Sequence, residues 1–193
     1  MADPDRRFSP HLYWLGHIAT LVSILAVFGT LIVAYVWRSG NPQFWHPVVL
    51  PRQLWLSTAL LLLCSAAIEM ARWALRNRGL KEYSSWLIRT GWLAMAFLVS
   101  QVLCWRILNA AGAVGDQNRG FFYVLSGTHG VHILGGLVAL GYLIWRVWNP
   151  WAQDADLRRN TITLMLATYW HFMGIIWVAL YAMFALLQPA AAS

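Results

Sequence analysis

The sequence predicts an all-α membrane protein of five transmembrane helices, and three observations carry that prediction. Of its 193 residues 60% are hydrophobic and only 11% are charged, against about 25% charged in a soluble domain, and mean hydropathy is +0.54. The apolar residues fall into five long runs separated by short polar breaks. Thirteen residues are Trp, whose ring favours the headgroup layer of a bilayer. So few charges cannot build a water-facing shell, which excludes a soluble globule, a disordered chain and a disulfide-rich secreted domain. A hydrocarbon core about 30 Å thick takes about 20 helical residues. Five spans with their loops therefore account for residues 1–193 as a single membrane domain, with no room for a soluble one.

The first span runs from about Gly16 to Trp37 and ends at Arg38-Ser39-Gly40-Asn41-Pro42. Its apolar run is longer than the 7–15-residue core of a signal peptide and no small-residue cleavage site follows, so we expect it to be retained. The second runs from about Leu54 to Leu75 and ends at Arg76-Asn77-Arg78-Gly79. The third covers about Trp86 to Leu108, before a Gly- and Asn-rich break at 115–120. The fourth covers about Phe121 to Trp145 and stops at Asn149-Pro150, and the fifth runs from about Ile162 to Leu187. Glycine and proline at the breaks end helices. Trp14, Trp37, Trp55, Trp86, Trp105, Trp145 and Trp148 fall at or near span ends, which supports the same parsing independently of hydropathy.

A net charge of +7 on a soluble protein would suggest nucleic acid. Here the basic residues lie between apolar runs, and they report topology instead. Arg6, Arg7, Arg72, Arg76, Arg78, Lys81, Arg89, Arg146, Arg158 and Arg159 share one side; Arg38, Arg52, Arg106 and Arg119 share the other. By the positive-inside rule the N-terminus is cytoplasmic and the C-terminus is outside. Cys64 and Cys104 both fall inside apolar runs and form neither a disulfide framework nor a metal signature.

Ionisable groups inside a bilayer are costly, so they are the first functional suspects. Glu69 is the only carboxylate within a span, roughly 8 Å from the cytoplasmic end of its helix. Arg72 follows on the same face, which reads either as an interfacial ion pair or as a proton-handling carboxylate. His129 and His132 on span four and His171 on span five fall in the middle third of the bilayer. A hydrogen bond between neighbouring spans through these histidines is expected. Two histidines three apart on one helix cannot be the two axial ligands of one haem, so packing is the reading for them rather than a cofactor. Gln101 adds a buried amide on span three. Ser126, Gly127, Gly130, Gly135, Gly136 and Ala139 mark span four as a close-packing helix, and Thr20, Ser23, Thr30 and Ala34 form a weaker stripe on span one. No catalytic constellation is visible.

One stretch carries more. Phe121-Phe122-Tyr123-Val124-Leu125-Ser126-Gly127-Thr128-His129-Gly130-Val131-His132-Ile133-Leu134-Gly135-Gly136 closely resembles subunit III of the haem-copper oxidases, with their Phe-rich entry and Thr/Ser-Gly-x-His-Gly-x-His-Val/Ile-x-x-Gly. Tyr169-Trp170-His171-Phe172, followed by Trp177, resembles the Tyr-Trp-His-Phe run of that family's last helix. Leu98, Gln101 and Trp105, and the stretch from Ser57-Thr58 to Cys64-Ser65, are weaker matches in the same order. The length resembles the short five-helix bacterial form. Three of the family's intramembrane carboxylates are replaced, by Ile24, Cys104 and Gly174, which marks a divergent member and puts a carboxylate-dependent proton role in question.

The resemblance implies a non-catalytic accessory subunit of a respiratory terminal oxidase in a bacterial inner membrane. Such a subunit binds no haem or copper itself. It packs against subunit I, which holds both, and beside the other oxidase subunits. It supports assembly, proton uptake and stability during turnover. The resemblance also implies a V-shaped cleft filled with phospholipid between two arms, expected here to be spans one and two against spans three to five. Arg72, Arg158 and Arg159 are the expected phosphate ligands, and Trp55 and Trp170 the expected acyl-chain contacts. A subunit III-like partner of a nitric oxide reductase, and a small independent transporter, are the alternatives. Matching helix interruptions and repeat symmetry, which a transporter would carry, are not seen in the sequence.

Overall fold

The computed structural model describes residues 10–41, 51–110, 117–149 and 156–187, with the side chains of Pro10, 117–119 and 156–157 outside the description. Arg6, Arg7 and Pro150 lie outside the described residues, as does the side chain of Arg119. Among the described residues there are five helices: α1 (Pro10–Ser39), α2 (Leu54–Asn77), α3 (Leu80–Ala110), α4 (Gln117–Trp148) and α5 (Asp156–Leu186). All five are long and apolar enough to cross a membrane. Most extend beyond the apolar runs. α3 begins at Leu80 rather than near Trp86, because a helix satisfies its own backbone and carries polar residues such as Lys81 and Glu82 as readily into the interface.

α2 and α3 make the most extensive pairing in the bundle, and their connection explains why. Gly79 sits at φ 90°, a conformation glycine adopts without steric cost. It lets the N–H groups of Arg78 and Gly79 both donate to the Ala74 carbonyl, at 2.8 and 3.0 Å. That closes α2 in the manner of a left-handed C-terminal cap. α3 then starts immediately, so the two helices run back to back. Most of their buried positions keep a seven-residue repeat. On α2 the repeat runs through Leu54, Ser57, Leu61, Cys64, Ile68 and Ala71, and on α3 through Tyr83, Leu87, Thr90, Ala94, Phe97, Gln101, Cys104 and Leu108, with Ala67, Ala74, Ser84 and Ser100 buried beside it. Alternate steps of three and four are the seam of a left-handed antiparallel pair. Ser57 and Ser100 hydroxyls meet across it at 2.8 Å, and the Cys64 thiol donates to the Thr90 carbonyl.

α2, α3, α4 and α5 form a closed cycle in which each packs on its sequence neighbour and α5 returns to α2. α1 lies outside this cycle, packed on α5 and α4. Among the described residues α1 makes no packing contact with α2, so the expected pairing of spans one and two as one arm is not what forms. The reason is visible on α1. Its Thr20, Ser23 and Thr30 hydroxyls donate to the carbonyls of Gly16, Ala19 and Ala26 on the same helix, and these residues stay exposed rather than making a packing stripe. What α1 buries is Ile24, Phe28 and Tyr35. Phe28 meets the His132 ring on α4, and Tyr35 meets Phe184 on α5.

Lipid tails are as apolar as leucine, so these helices associate through close packing and side-chain hydrogen bonds rather than through the hydrophobic effect. The glycines of α4 divide between two neighbours accordingly. Gly127 lies under the Trp105 indole and Gly130 under Leu98, both on α3, while Gly136 lies against Tyr169 and Trp170 of α5. A methyl group at 136 would come within 2.9 Å of Tyr169 Cε1, whereas at Gly141 it would meet nothing within 4 Å. Gly136→Ala is therefore expected to destabilise the detergent-solubilised protein by the ~1–3 kcal/mol typical of overpacking. Gly141→Ala should leave the melting temperature unchanged or slightly raised, and paired thermal melts of the two variants check this.

Candidate functional site

The polar residues of the spans separate into three places. The first is a central aromatic cluster. His129 is fully buried on α4, with its ring centroid 6.0 Å from Phe28 of α1, 5.6 Å from Phe97 of α3 and 5.1 Å from Trp177 of α5. Trp177 in turn donates its indole N–H to Thr58 of α2 at 3.1 Å. One imidazole thus ties four other helices together, three directly and one through the indole. Among the described residues neither of its ring nitrogens has a hydrogen-bond partner, and the buried Gln101 amide one turn from Phe97 has none either.

His132, one turn along α4, places Nδ1 2.7 Å from the Thr128 carbonyl of its own helix, so Nδ1 carries the proton. Among the described residues no histidine side chain makes the expected hydrogen bond between α4 and α5, and His171 bonds to α2 instead. Tyr169 links α5 to α4, donating to the His132 carbonyl at 2.6 Å. Tyr83 and Thr163 join α3 to α5 at 2.7 Å, and the Trp105 indole joins α3 to Ser126 of α4 at 3.0 Å. Tyr83 and Thr163 were not singled out from the sequence, and Tyr169 and Trp177 stood there only as motif residues, not as ties between helices. A signal was there for the aromatic ones, since a tyrosine or tryptophan within a span favours a partner for its polar atom.

The second place is the α2/α5 edge. Arg72 Nη1 donates to both oxygens of Glu69, at 2.7 and 2.8 Å. This is the ion pair that the three-residue spacing predicted. The structure adds His171 of α5, whose Nε2 lies 2.8 Å from Glu69 Oε1. A carboxylate held by an arginine can only accept, so Nε2 carries a proton, and in the neutral ring Nδ1 is then an acceptor. All three side chains keep access to the bundle surface: Glu69 is 42% exposed, His171 40% and Arg72 22%. Just above, α2 and α5 approach so closely that a methyl on Gly174 would touch the Ser65 hydroxyl at 3.4 Å.

The third place is a cleft of about 390 Å³ between α1, α4 and α5, lined by His17, Thr20, Gly135, Ala139, Tyr142 and Tyr169 among others. Gly135 and Ala139, expected as helix-packing residues, line this opening and are exposed. One turn beyond the lining residue Tyr142, Arg146 donates to the Tyr142 hydroxyl at 2.7 Å and lies over that ring.

The five expected lipid contacts do not converge. Arg72 is engaged with Glu69. Arg158 and Arg159 lie in the first turn of α5, at the same end of the bundle as Arg72, while Trp55 lies at the opposite end, in the first turn of α2. Trp170 is 1% exposed and packs against Gly136 of α4. It is a bundle residue and not a surface one, because the glycine leaves room for its ring inside. Among the described residues no three His, Cys, Asp or Glu side chains are grouped to hold a metal ion.

A family model for cytochrome c oxidase subunit III matches residues 12–187, from the first turn of α1 to the end of α5. The chain belongs to that family. It is 28% identical over 181 residues to the cytochrome c oxidase subunit 3 of Thermostichus vulcanus, covering 92% of this chain and 89% of that one. It is 27% identical over 172 residues to the cytochrome bo(3) ubiquinol oxidase subunit 3 of Pseudomonas aeruginosa, covering 88% and 80%. It is 30% identical over 182 residues to the cytochrome c oxidase subunit 3 of Yarrowia lipolytica, covering 88% and 66%.

Set against the subunit III pattern, the three replaced carboxylates fall at buried positions. Ile24 and Cys104 are in the core, and Gly174 is buried where α5 meets α2. An acid at 174 would stand three residues after His171 on the same helix, in space that Ser65 now borders. Here the carboxylate that meets His171 comes instead from the facing helix, as Glu69. The acid–histidine contact thus lies at the edge of the bundle and not in its interior, where an unpaired carboxylate costs several kcal/mol.

Because the His129 nitrogens make no hydrogen bond, its contribution is the shape and face of the ring. His129→Phe is expected to change stability by no more than about 1 kcal/mol, and His129→Ala to cost about 3 kcal/mol through the cavity left among three rings. Melting of both variants in detergent tests this. A loss for His129→Phe as large as for His129→Ala would mean that the nitrogens hold a partner.

Proposed function

We propose that this chain is the non-catalytic accessory subunit III of a haem-copper terminal oxidase in a bacterial plasma membrane. In that role it supports assembly, proton uptake and stability of the haem- and copper-bearing subunit I. The observation that carries this is the subunit III match across all five helices, residues 12–187. The placement of the polar groups supports it: Ser57, Tyr83, Trp105, Tyr169 and Trp177 all join one helix to another, as in a subunit whose work is to hold a shape beside a catalyst. Relatives named for cytochrome c and for ubiquinol are about equally similar, at 28% and 27% identity. That fits a subunit that does not touch the electron donor. Relatives named as oxidase subunits favour this reading over a nitric oxide reductase partner or a transporter.

The positive-inside reading places the N-terminus in the cytoplasm. Arg72, Arg76, Arg78, Lys81, Arg146, Arg158 and Arg159 lie at the corresponding ends of α2 to α5, which supports that orientation. The lipid reading moves from the anticipated two-plus-three cleft to the opening between α1, α4 and α5. Its apolar walls suit an acyl chain, and the Arg146–Tyr142 pair suits a headgroup phosphate.

Mild-detergent purification should recover a haem-bearing membrane subunit with this chain, and the chain stripped of partners should show no haem absorption. A haem spectrum from the isolated chain would overturn the assignment. For the lipid, Ala139→Trp fills the cleft from α4 and is expected to remove tightly bound phospholipid seen by native mass spectrometry. Val131→Trp, on an outward face of the same helix, should retain it.

A further inference from the structure

The Glu69–Arg72–His171 group is left incomplete by the chain itself. Glu69 lies about 12 Å along α2 from its Asn77 end, two turns inside the span. Yet Glu69 and His171 are 42% and 40% exposed on the outside of the bundle. On insertion scales a charged side chain costs about 2.5–3.5 kcal/mol at a helix centre, so an acid and an imidazole exposed this far inside a span are poorly suited to lipid tails. The group's hydrogen bonding is also unfinished. With Nε2–H given to Glu69, Nδ1 of the neutral His171 ring is an acceptor and has no partner among the described residues.

The surface around the group has the form of a helix seat. On α2, Leu62, Ala66 and Glu69 follow one another at steps of four and three; on α5, His171, Ile175 and Val178 do the same, and all six are exposed or half-exposed. Outward positions on a seven-residue repeat keep in line along both helices, so the groove between them runs straight enough to take a third helix. α1 occupies the other side of α5 and does not reach α2.

We propose that a transmembrane helix of the haem-bearing subunit seats in this α2/α5 groove and presents a neutral hydrogen-bond donor, a hydroxyl or a carboxamide, to His171 Nδ1 and Glu69. Charge decides against the other occupants. Glu69 and Arg72 cancel, so a phosphate headgroup would face a carboxylate, and a cationic side chain would face an arginine. A neutral donor completes the group without adding a buried charge. Leu62, Ile175 and Val178 supply the apolar walls beside it. This inference rests on the proposed role as an oxidase subunit and adds the face and the recognising chemistry.

A photoreactive phenylalanine in place of Ile175, in the full complex in native membranes, tests the seat. The expected product is a covalent adduct to a transmembrane peptide of the haem-bearing subunit. An adduct only to lipid at 175, with the haem-bearing subunit still co-purifying, overturns the groove and leaves the accessory role intact. Failure of the unmodified chain to recover any haem-bearing subunit overturns both. The polar part is tested by His171→Phe and Glu69→Gln, each expected to lower retention of the haem-bearing subunit through a detergent wash by about tenfold, as loss of one hydrogen bond to a charged group implies. Val138→Phe on exposed α4 is the matched surface control. Retention equal to that of the control in both variants would overturn the recognition.

Discussion

The bundle depends on the way one imidazole fills the point where the helices meet. In a bilayer there is no water to drive helices together, and what holds them is contact between surfaces that fit. His129 touches Phe28, Phe97 and Trp177 edge-on or tilted, and aromatic rings in such arrangements attract by about 0.5–1.5 kcal/mol beyond simple burial. Trp177 then fixes its far side to Thr58. Beside His129, the α3 side chains of Trp105 and Leu98 lie on the α4 backbone at Gly127 and Gly130.

From that centre the remaining polar groups sort by depth and direction. Several facing neighbouring helices are paired with them, as in Ser57–Ser100, Tyr83–Thr163 and Tyr169 with the His132 carbonyl, while the Gln101 amide and the Trp170 indole N–H are without a partner among the described residues. Others face out of the bundle. The Glu69 group is the most highly charged of them within the bilayer. The contrast explains how the interior stays free of buried acids. Ile24, Cys104 and Gly174 occupy interior positions where apolar or small residues pack at no electrostatic cost, and the one acid kept within a span stands at an edge where a partner can complete its bonding.

How much of the site was legible in the sequence depends on sequence distance. Glu69 and Arg72 are one helical turn apart, so their ion pair followed from the period of the α-helix alone. His171 is 102 residues from Glu69, and no periodicity reports which helix it faces. Trp170 shows the same limit. Its motif identifies the family, but whether the ring turns to lipid or into the bundle depends on Gly136 of another helix. The repeat of buried residues on α3, from Tyr83 to Leu108, was available in the sequence, though only packing against α2 showed which of several apolar stripes is the seam.

The number of spans, their approximate ends, the sidedness of the basic residues and the family motifs were all decided by the sequence itself. Each depends on local composition or on short spacing, and the thickness of a bilayer turns both directly into structure. The grouping of the helices was decided by the tertiary structure. Spans one and two are neighbours along the chain, yet α1 packs on α4 and α5, because its own hydroxyls are satisfied internally and only Ile24, Phe28 and Tyr35 offer a fitting surface. The tertiary structure likewise made Glu69 a partner of His171, since that contact requires two distant helices to approach at Ser65 and Gly174.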